Sequence, residues 1–198
     1  MDVKSRREEY AEVTRAAIIE AAVTRFAADG YAATNIDSIA ELARVTKGAI
    51  YHHFTDKAEL FEAVYTAMEE RLLAAVLAGV DGINDPWETL RVGADVYLEE
   101  CCTIDFSRIA LEEAPVALGW ARWKAAEEKY FLGLVVSALD AMAEAGLIDT
   151  PAEGDLTARM LLAALNEAGL SVASSPEPRA EKKRAGDLIQ RLLSGLRV

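Results

Sequence analysis

Two cysteines, five prolines and two histidines among 198 residues leave little material for several common chemistries. The cysteines are adjacent, Cys101 and Cys102. Neighbours on a helix point about 100° apart, so a bond between them needs a distorted backbone. That excludes a secreted disulfide scaffold and predicts buried thiols. His52 and His53 are also neighbours, with no third ligand near them in sequence, so no metal site is expected. Neither histidine nor cysteine has the nucleophile, base and orienter that covalent catalysis requires, so neither catalytic residues nor a cofactor are expected. Val-Ile-Thr alternation is almost missing, which excludes an extensive sheet. No apolar run approaches the roughly 20 residues that span a bilayer: Asp140 interrupts one candidate and Asn166-Glu167 the other. The chain opens on Lys4, Arg6, Arg7 and Glu8 rather than the apolar core of a signal peptide, which predicts a cytoplasmic protein.

What the chain does have is Leu, Ala and Glu, with 52% hydrophobic residues. Good helix formers with few breakers predict an all-α protein of about nine helices. The formal charge is −12. Residues 1–60 hold 8 Lys/Arg against 10 Asp/Glu, and the remainder 13 against 23, so the acidity is concentrated in the later part. A first helix is expected from Arg6 to Asp29. Its stripe is Val13, Ala17, Ala21, Ala22 and Phe26, and Gly30 supplies a left-handed cap. Lys4, Arg6 and Arg7 form a short basic arm, either solvated or laid along phosphates.

Residues 34–57 set the organisation. Thr34 or Asn35 can cap a short helix whose Ile36, Ile39, Ala40 and Ala43 face inward. Arg44, Val45 and Thr46 make a tight corner, and Thr46 caps a second helix, Lys47 to His53, anchored by Ile50 and Phe54. Thr46, Lys47, Ala49, Tyr51 and His52 are left outside. A hydroxyl, an ammonium, a phenol and an imidazole at a helix N-terminus suit phosphate oxygens and base edges of duplex DNA. Lys57 stands one turn beyond, placed for another phosphate.

The segment resembles the tetracycline-repressor (TetR) family of transcriptional regulators. The resemblance rests on Phe26, Gly30-Tyr31, Thr34, Ile39-Ala40, Val45-Thr46-Lys47-Gly48, Tyr51-His52-His53-Phe54, Lys57 and Leu60. It implies a three-helix helix-turn-helix domain over residues 1–56 and a helical ligand-binding and dimerisation domain over 57–198. The expected DNA contacts are Thr34, Arg44, Thr46, Lys47, Ala49, Tyr51, His52 and Lys57. The family usually places glycine where this chain has Arg44. A left-handed side chain there costs about 1 kcal/mol, which a phosphate contact by the guanidinium would offset.

Beyond the corner, Lys57 to Gly79 carries Leu60, Val64, Ala67, Met68, Leu72 and Val76 on one stripe and reads as a rod linking the two parts. Asp85-Pro86-Trp87-Glu88 starts a fifth helix reaching Thr103. A sixth is expected from Asp105 to Glu113 with Pro115 as its breaker, and a seventh from Leu118 to Ala145. An eighth opens at Asp155 and Thr157, and a ninth ends near Leu196. Aromatics are dense in the middle, so Trp87, Tyr97, Cys101, Phe106, Trp120 and Trp123 are expected to line a cavity. Arg108 and Glu167, with Glu112 and Asn166, are its candidate polar groups. The last two helices are apolar on more than one face. Leu161, Leu165, Val172, Leu188, Leu192 and Leu196 therefore predict a homodimer seam.

With these features, the resemblance implies a homodimeric regulator of a palindromic DNA operator, a repressor in the first instance. The resemblance implies release from DNA by a small apolar or aromatic effector. A helical adaptor for a protein partner, and a small helical enzyme using the same cavity, are the alternatives.

Overall fold

The computed structural model describes residues 6–149 and 154–197. These form nine helical stretches. The first five are α1 (Arg6–Ala33), α2 (Ile36–Ala43), α3 (Lys47–His53), α4 (Lys57–Val80) and α5 (Pro86–Glu100). Residues 104–117 form α6 and 120–144 form α7, each widened by a π turn, at Ser107–Glu113 and Glu128–Leu132. Gly154–Ala173 is α8 and Pro178–Ser194 is α9. An isolated antiparallel bridge, Ile148 to Arg197, ties the turn after α7 to the chain after α9. The fold is all-α, and no described helix is long and apolar enough to cross a membrane.

The helix starts follow their capping residues. Asn35, Asp56 and Asp85 each accept a backbone N–H of the first turn through Oδ1, at 2.8, 2.8 and 2.9 Å. Each satisfies a donor that the helix itself leaves open. Pro86 sits in the first turn of α5, where its missing N–H costs nothing.

Of the two residues that could cap α2, Asn35 does so. Two local expectations do not hold. Val13 is not a core residue: it is 69% exposed, and the inward stripe of α1 begins at Ile18. Pro115 does not end α6, which continues to Ala117. The preceding π turn explains the last case. Ala114 N–H reaches back five residues to Ile109, and the Ala110 carbonyl, five back from Pro115, accepts the Trp123 indole N–H at 3.0 Å. A side chain from α7 thus supplies the donor that proline lacks.

Two apolar clusters hold the helices together. The larger joins α1, α2 and α3 through α4 to α5 and α6, with Phe26, Ile39, Phe54, Phe61, Phe106 and Ile109 at its centre. The smaller lies among α5, α7, α8 and α9, around Leu90, Leu139, Met142 and Leu193. Full burial of one such side chain stabilises by about 1.5–3 kcal/mol. The larger cluster passes without interruption across residues 56 and 57, so α4 belongs to the cores on both sides.

Candidate DNA-reading corner, cavity and exposed helix pair

At the corner between α2 and α3, Arg44 adopts φ 57°, ψ 40°. Its N–H donates to Glu41 O, and Val45 N–H donates to Ala40 O at 3.0 Å. This is the left-handed helix termination that glycine usually occupies. The side chain of Arg44 is exposed. Thr46 Oγ1 then accepts Ala49 N–H at 3.1 Å and starts α3.

Thr46, Lys47, Tyr51 and His52 are exposed and Ala49 partly so, while Ile50 and Phe54 are buried beneath them. Lys47 and Tyr51 lie one turn apart on α3. The Lys47 ammonium pairs with Asp37 on α2 at 2.8 Å. That hydrogen bond, then the Asp37 charge, raises the lysine above its usual range. Both side chains are more than half exposed, and such pairs contribute little. A phosphate can therefore replace Asp37. His53 is drawn under the surface, and desolvation lowers its basicity, followed by the charges of His52 and Arg15.

Two of the expected DNA contacts are occupied elsewhere. Thr34 is 3% exposed, and its hydroxyl donates to Gly30 O at 2.7 Å and Arg25 O at 3.1 Å. Lys57 donates to the carbonyls of Tyr31, Ala32 and Thr34 at 2.8, 3.3 and 3.0 Å. Thr34 thus ties itself back to α1, and Lys57 caps carbonyls at and just beyond its C-terminus. Of the basic arm, Lys4 lies outside the described residues, and Arg6 is exposed at the start of α1.

A cavity of about 350 Å³ lies among α4, α5, α6, α7 and α8. Tyr97, Phe106, Trp123 and Asn166 line it, as the sequence suggests. Tyr97 Oη stands 3.4 Å from Asn166 Oδ1 and sits hard against Gly169, where a Cβ would run into the hydroxyl. The other expected residues lie elsewhere. Trp87 stacks under the Arg197 guanidinium at 4.1 Å. Trp120 is 64% exposed, resting on Trp123 at 4.9 Å. Glu112 and Glu167 are exposed. Cys101 is buried behind Tyr97, and burial pushes its thiol up to about 12, so it is not a reactive thiolate.

The lining also holds two carboxyls that the sequence does not single out, Glu69 on α4 and Glu127 on α7, each 5% exposed. Desolvation raises Glu69 to about 7, against the opposing hydrogen bond from Tyr65 and with the Glu127 charge adding to the rise. Desolvation also raises Glu127, although Lys124 Nζ donates to its Oε2 at 2.6 Å. Its Oε1 is buried with no hydrogen-bond partner among the described residues. A signal existed: Tyr65, Glu69, Leu72 and Val76 follow one helical stripe, so Glu69 interrupts an apolar face. Trp123, Glu127 and Phe131 do the same on α7.

Arg108 is not a cavity residue. With Glu113 it brackets Gly30 at the end of α1, where φ is 78° and ψ 164°. The segment carrying both, Ser107–Glu113, also carries Leu111, which lines the cavity directly after Phe106. Ile109 and Ala110 between them are buried in the cluster that holds Phe26 and Ala27 of α1. One widened turn therefore has the cavity on one side and the end of α1 on the other.

The last two helices divide their apolar residues between inside and outside. Val172 is fully buried within the subunit, and Leu161, Leu165 and Leu196 pack against the smaller cluster. Val172 therefore cannot meet a partner chain. Leu188 and Leu192 on α9 are each 50% exposed, one turn apart, and Met160 on α8 is 65% exposed.

Comparison with known proteins agrees with this architecture. The family model described as tetracyclin repressor-like, C-terminal domain matches residues 87–196, and that of bacterial regulatory proteins, tetR family, matches residues 18–64. The TetC protein of transposon Tn10 from Escherichia coli is 29% identical over 135 residues, covering 68% of each chain. The HTH-type transcriptional regulator TtgR of Pseudomonas putida is 52% identical over 65 residues, covering 33% of this chain and 31% of that one. The crystal structure of a TetR-family transcriptional regulator from Pectobacterium atrosepticum superposes with a TM-score of 0.84 and 29% identity, over 98% of both chains.

Proposed function

We propose, since this chain belongs to the TetR family of transcriptional regulators, that it is a repressor binding a palindromic operator as a homodimer and released by a small effector in the cavity. The family is one of regulators and not of enzymes. Residues 1–56 read the DNA and 57–198 sense and dimerise. Lys47, Tyr51, Thr46 and His52 enter the major groove from α3, with Arg44 and the Ala49 methyl at its edge. Thr34 and Lys57 act indirectly, by holding the end of α1 against α4. Two corners on one dimer meet half-sites about 34–36 Å apart for one-turn spacing.

The observation that carries the effector reading is the double-sided turn Ser107–Glu113. A ligand displacing Phe106 or Leu111 moves the carriers of Arg108 and Glu113, and these bracket Gly30. The three helices of the corner then turn with α1, and the separation of the two corners changes. Only a difference in ligand affinity between the two arrangements drives this shift.

Selection of bound duplexes from a random pool tests the reading. The expected product is a palindrome whose affinity for the protein falls sharply with salt and at least tenfold on Lys47→Ala with Tyr51→Ala. Equal binding by that double variant would remove α3 as the reading helix.

A further inference from the structure

Of the described side chains lining the cavity, only Glu69 and Glu127 carry carboxyls, and none is basic. Each is 5% exposed, and the charge of Glu127 adds to the rise that burial imposes on Glu69. Lys124 reaches Glu127 from outside the lining and satisfies Oε2, while Oε1 is buried without a hydrogen-bond partner among the described residues. Ionised, the two carboxylates and one ammonium leave the site with a single net negative charge. Buried charges without partners are avoided unless something answers them. The rings of Tyr65, Tyr97 and Trp123 share the cavity wall, and aromatic faces attract cations.

We infer that the cavity takes a lipophilic monocation, an aromatic or alkyl-substituted ammonium or iminium, whose positive centre sits at Glu69 and Glu127. Its apolar body lies among Leu72, Val76, Leu134 and Leu165. This rests on the effector reading above and gives it a ligand class. An anion is repelled by both carboxylates. A neutral apolar ligand dries Oε1 of Glu127 further and offers it nothing. A metal ion lacks donors, since no group of three or more metal-binding side chains occurs among the described residues. A cavity of about 350 Å³ has room for an organic body that a bare ion does not need.

A charge-only comparison tests the inference. N-alkylquinolinium ions, from methyl to hexyl, are matched atom for atom by neutral 1-alkylnaphthalenes, and 1-naphthylacetate supplies the anion. Calorimetric titration of the full chain is expected to show the cation at least tenfold tighter than its neutral match, with the anion weakest. The advantage shrinks toward onefold in Glu69→Gln with Glu127→Gln, whose melting temperature and helical signal are measured alongside. Because the quinolinium charge does not titrate, its affinity also rises between pH 6 and pH 8. Glu69 ionises over that range beside Tyr65 of α4, Tyr97 of α5, and Glu127 with Lys124 of α7. Equal or tighter binding of the neutral series, an advantage surviving the double substitution, or no cation binding across the series each overturns the inference. Operator release is read separately. Release by the naphthalene alone sinks the charge assignment and keeps the effector reading. Tight cation binding that leaves operator affinity unchanged does the reverse.

Discussion

The Lys57 ammonium donates to the Tyr31 carbonyl at 2.8 Å and lies 4.5 Å over the same residue's ring. The first residue of α4 is thereby clamped to the last turn of α1, and the Tyr31 ring meets Phe61 edge-on at 5.0 Å. A lysine of the reading segment is therefore a fastener. Lys57→Met, which keeps the stem and removes the donors, should cost about 1.5–3 kcal/mol, since hydrogen bonds involving a charged group are worth that much. The midpoint of urea unfolding measures it. The salt slope of operator binding should stay as in the parent, because no phosphate contact is lost.

Arg44 makes the opposite case. Its backbone sits at φ 57°, the only residue other than glycine with positive φ among those described, and its guanidinium is exposed. Arg44→Gly should stabilise the apo protein by about 1 kcal/mol through relief of the left-handed strain. It should also weaken operator binding, with the salt exponent reduced by about 0.9 for one lost phosphate contact. An unchanged exponent would show that the arginine stays clear of the DNA.

At Gly30, φ 78° with ψ 164° lies in a region essentially confined to glycine, and a Cβ there would stand 3.1 Å from Arg108 Nη2 and closer still to Glu113 Oε1. Gly30→Ala should destabilise by about 1–3 kcal/mol. On the proposed route from the cavity to the corner, it should also reduce the ratio of operator affinities with and without a cavity ligand, because Arg108 and Glu113 are forced away from Gly30. Fluorescence anisotropy on labelled operator gives that ratio directly.

The buried Glu69 makes stability depend on pH in a defined sense. Its carboxyl is raised from 4.5 to about 7 in the fold. Between those values the folded chain holds a proton that the unfolded chain has released. Its contribution is thus fully present below about pH 4.5 and is lost as pH rises through about 7. The shift corresponds to roughly 3 kcal/mol. Melting curves at pH 5.5 and 8 should show the parent losing more stability than Glu69→Gln over that interval. An identical loss in both would place the proton elsewhere.

Much of this architecture is legible in the residues. Ile39, Ala40, Ile50 and Phe54 at helical spacing, with Thr46 as cap, specify the corner and its exposed face. The cavity is half legible: Tyr97, Phe106 and Trp123 stand out as aromatics, but Trp87 and Trp120 look the same and lie elsewhere. Those two stand in the first turns of α5 and α7, where Trp87 is taken up by the Arg197 guanidinium and Trp120 is left exposed against Trp123. Glu69 and Glu127 are legible only as interruptions of apolar stripes, a weak signal because a glutamate on a helix ordinarily faces water, and their three-dimensional enclosure is what makes them exceptional.

The exposed leucines of α9 supply the last test, and the contrast with α8 makes it discriminating. Leu188 and Leu192 lie one turn apart, each half exposed, whereas Val172 is wholly covered inside the subunit. If α8 and α9 pair with their two-fold mates, charge at the exposed positions opposes association without disturbing the fold, because neither leucine belongs to the buried clusters. Leu188→Glu with Leu192→Glu should therefore give a folded monomer by sedimentation, with a helical spectrum like the parent's. Its operator binding should fall at least a hundredfold, because two half-sites no longer bind as one. Val172→Glu should instead lower the melting point steeply, since it introduces an unpaired charge into the core. A double variant that remains dimeric would move the seam to another face, and the half-site spacing would then have to be set by different helices.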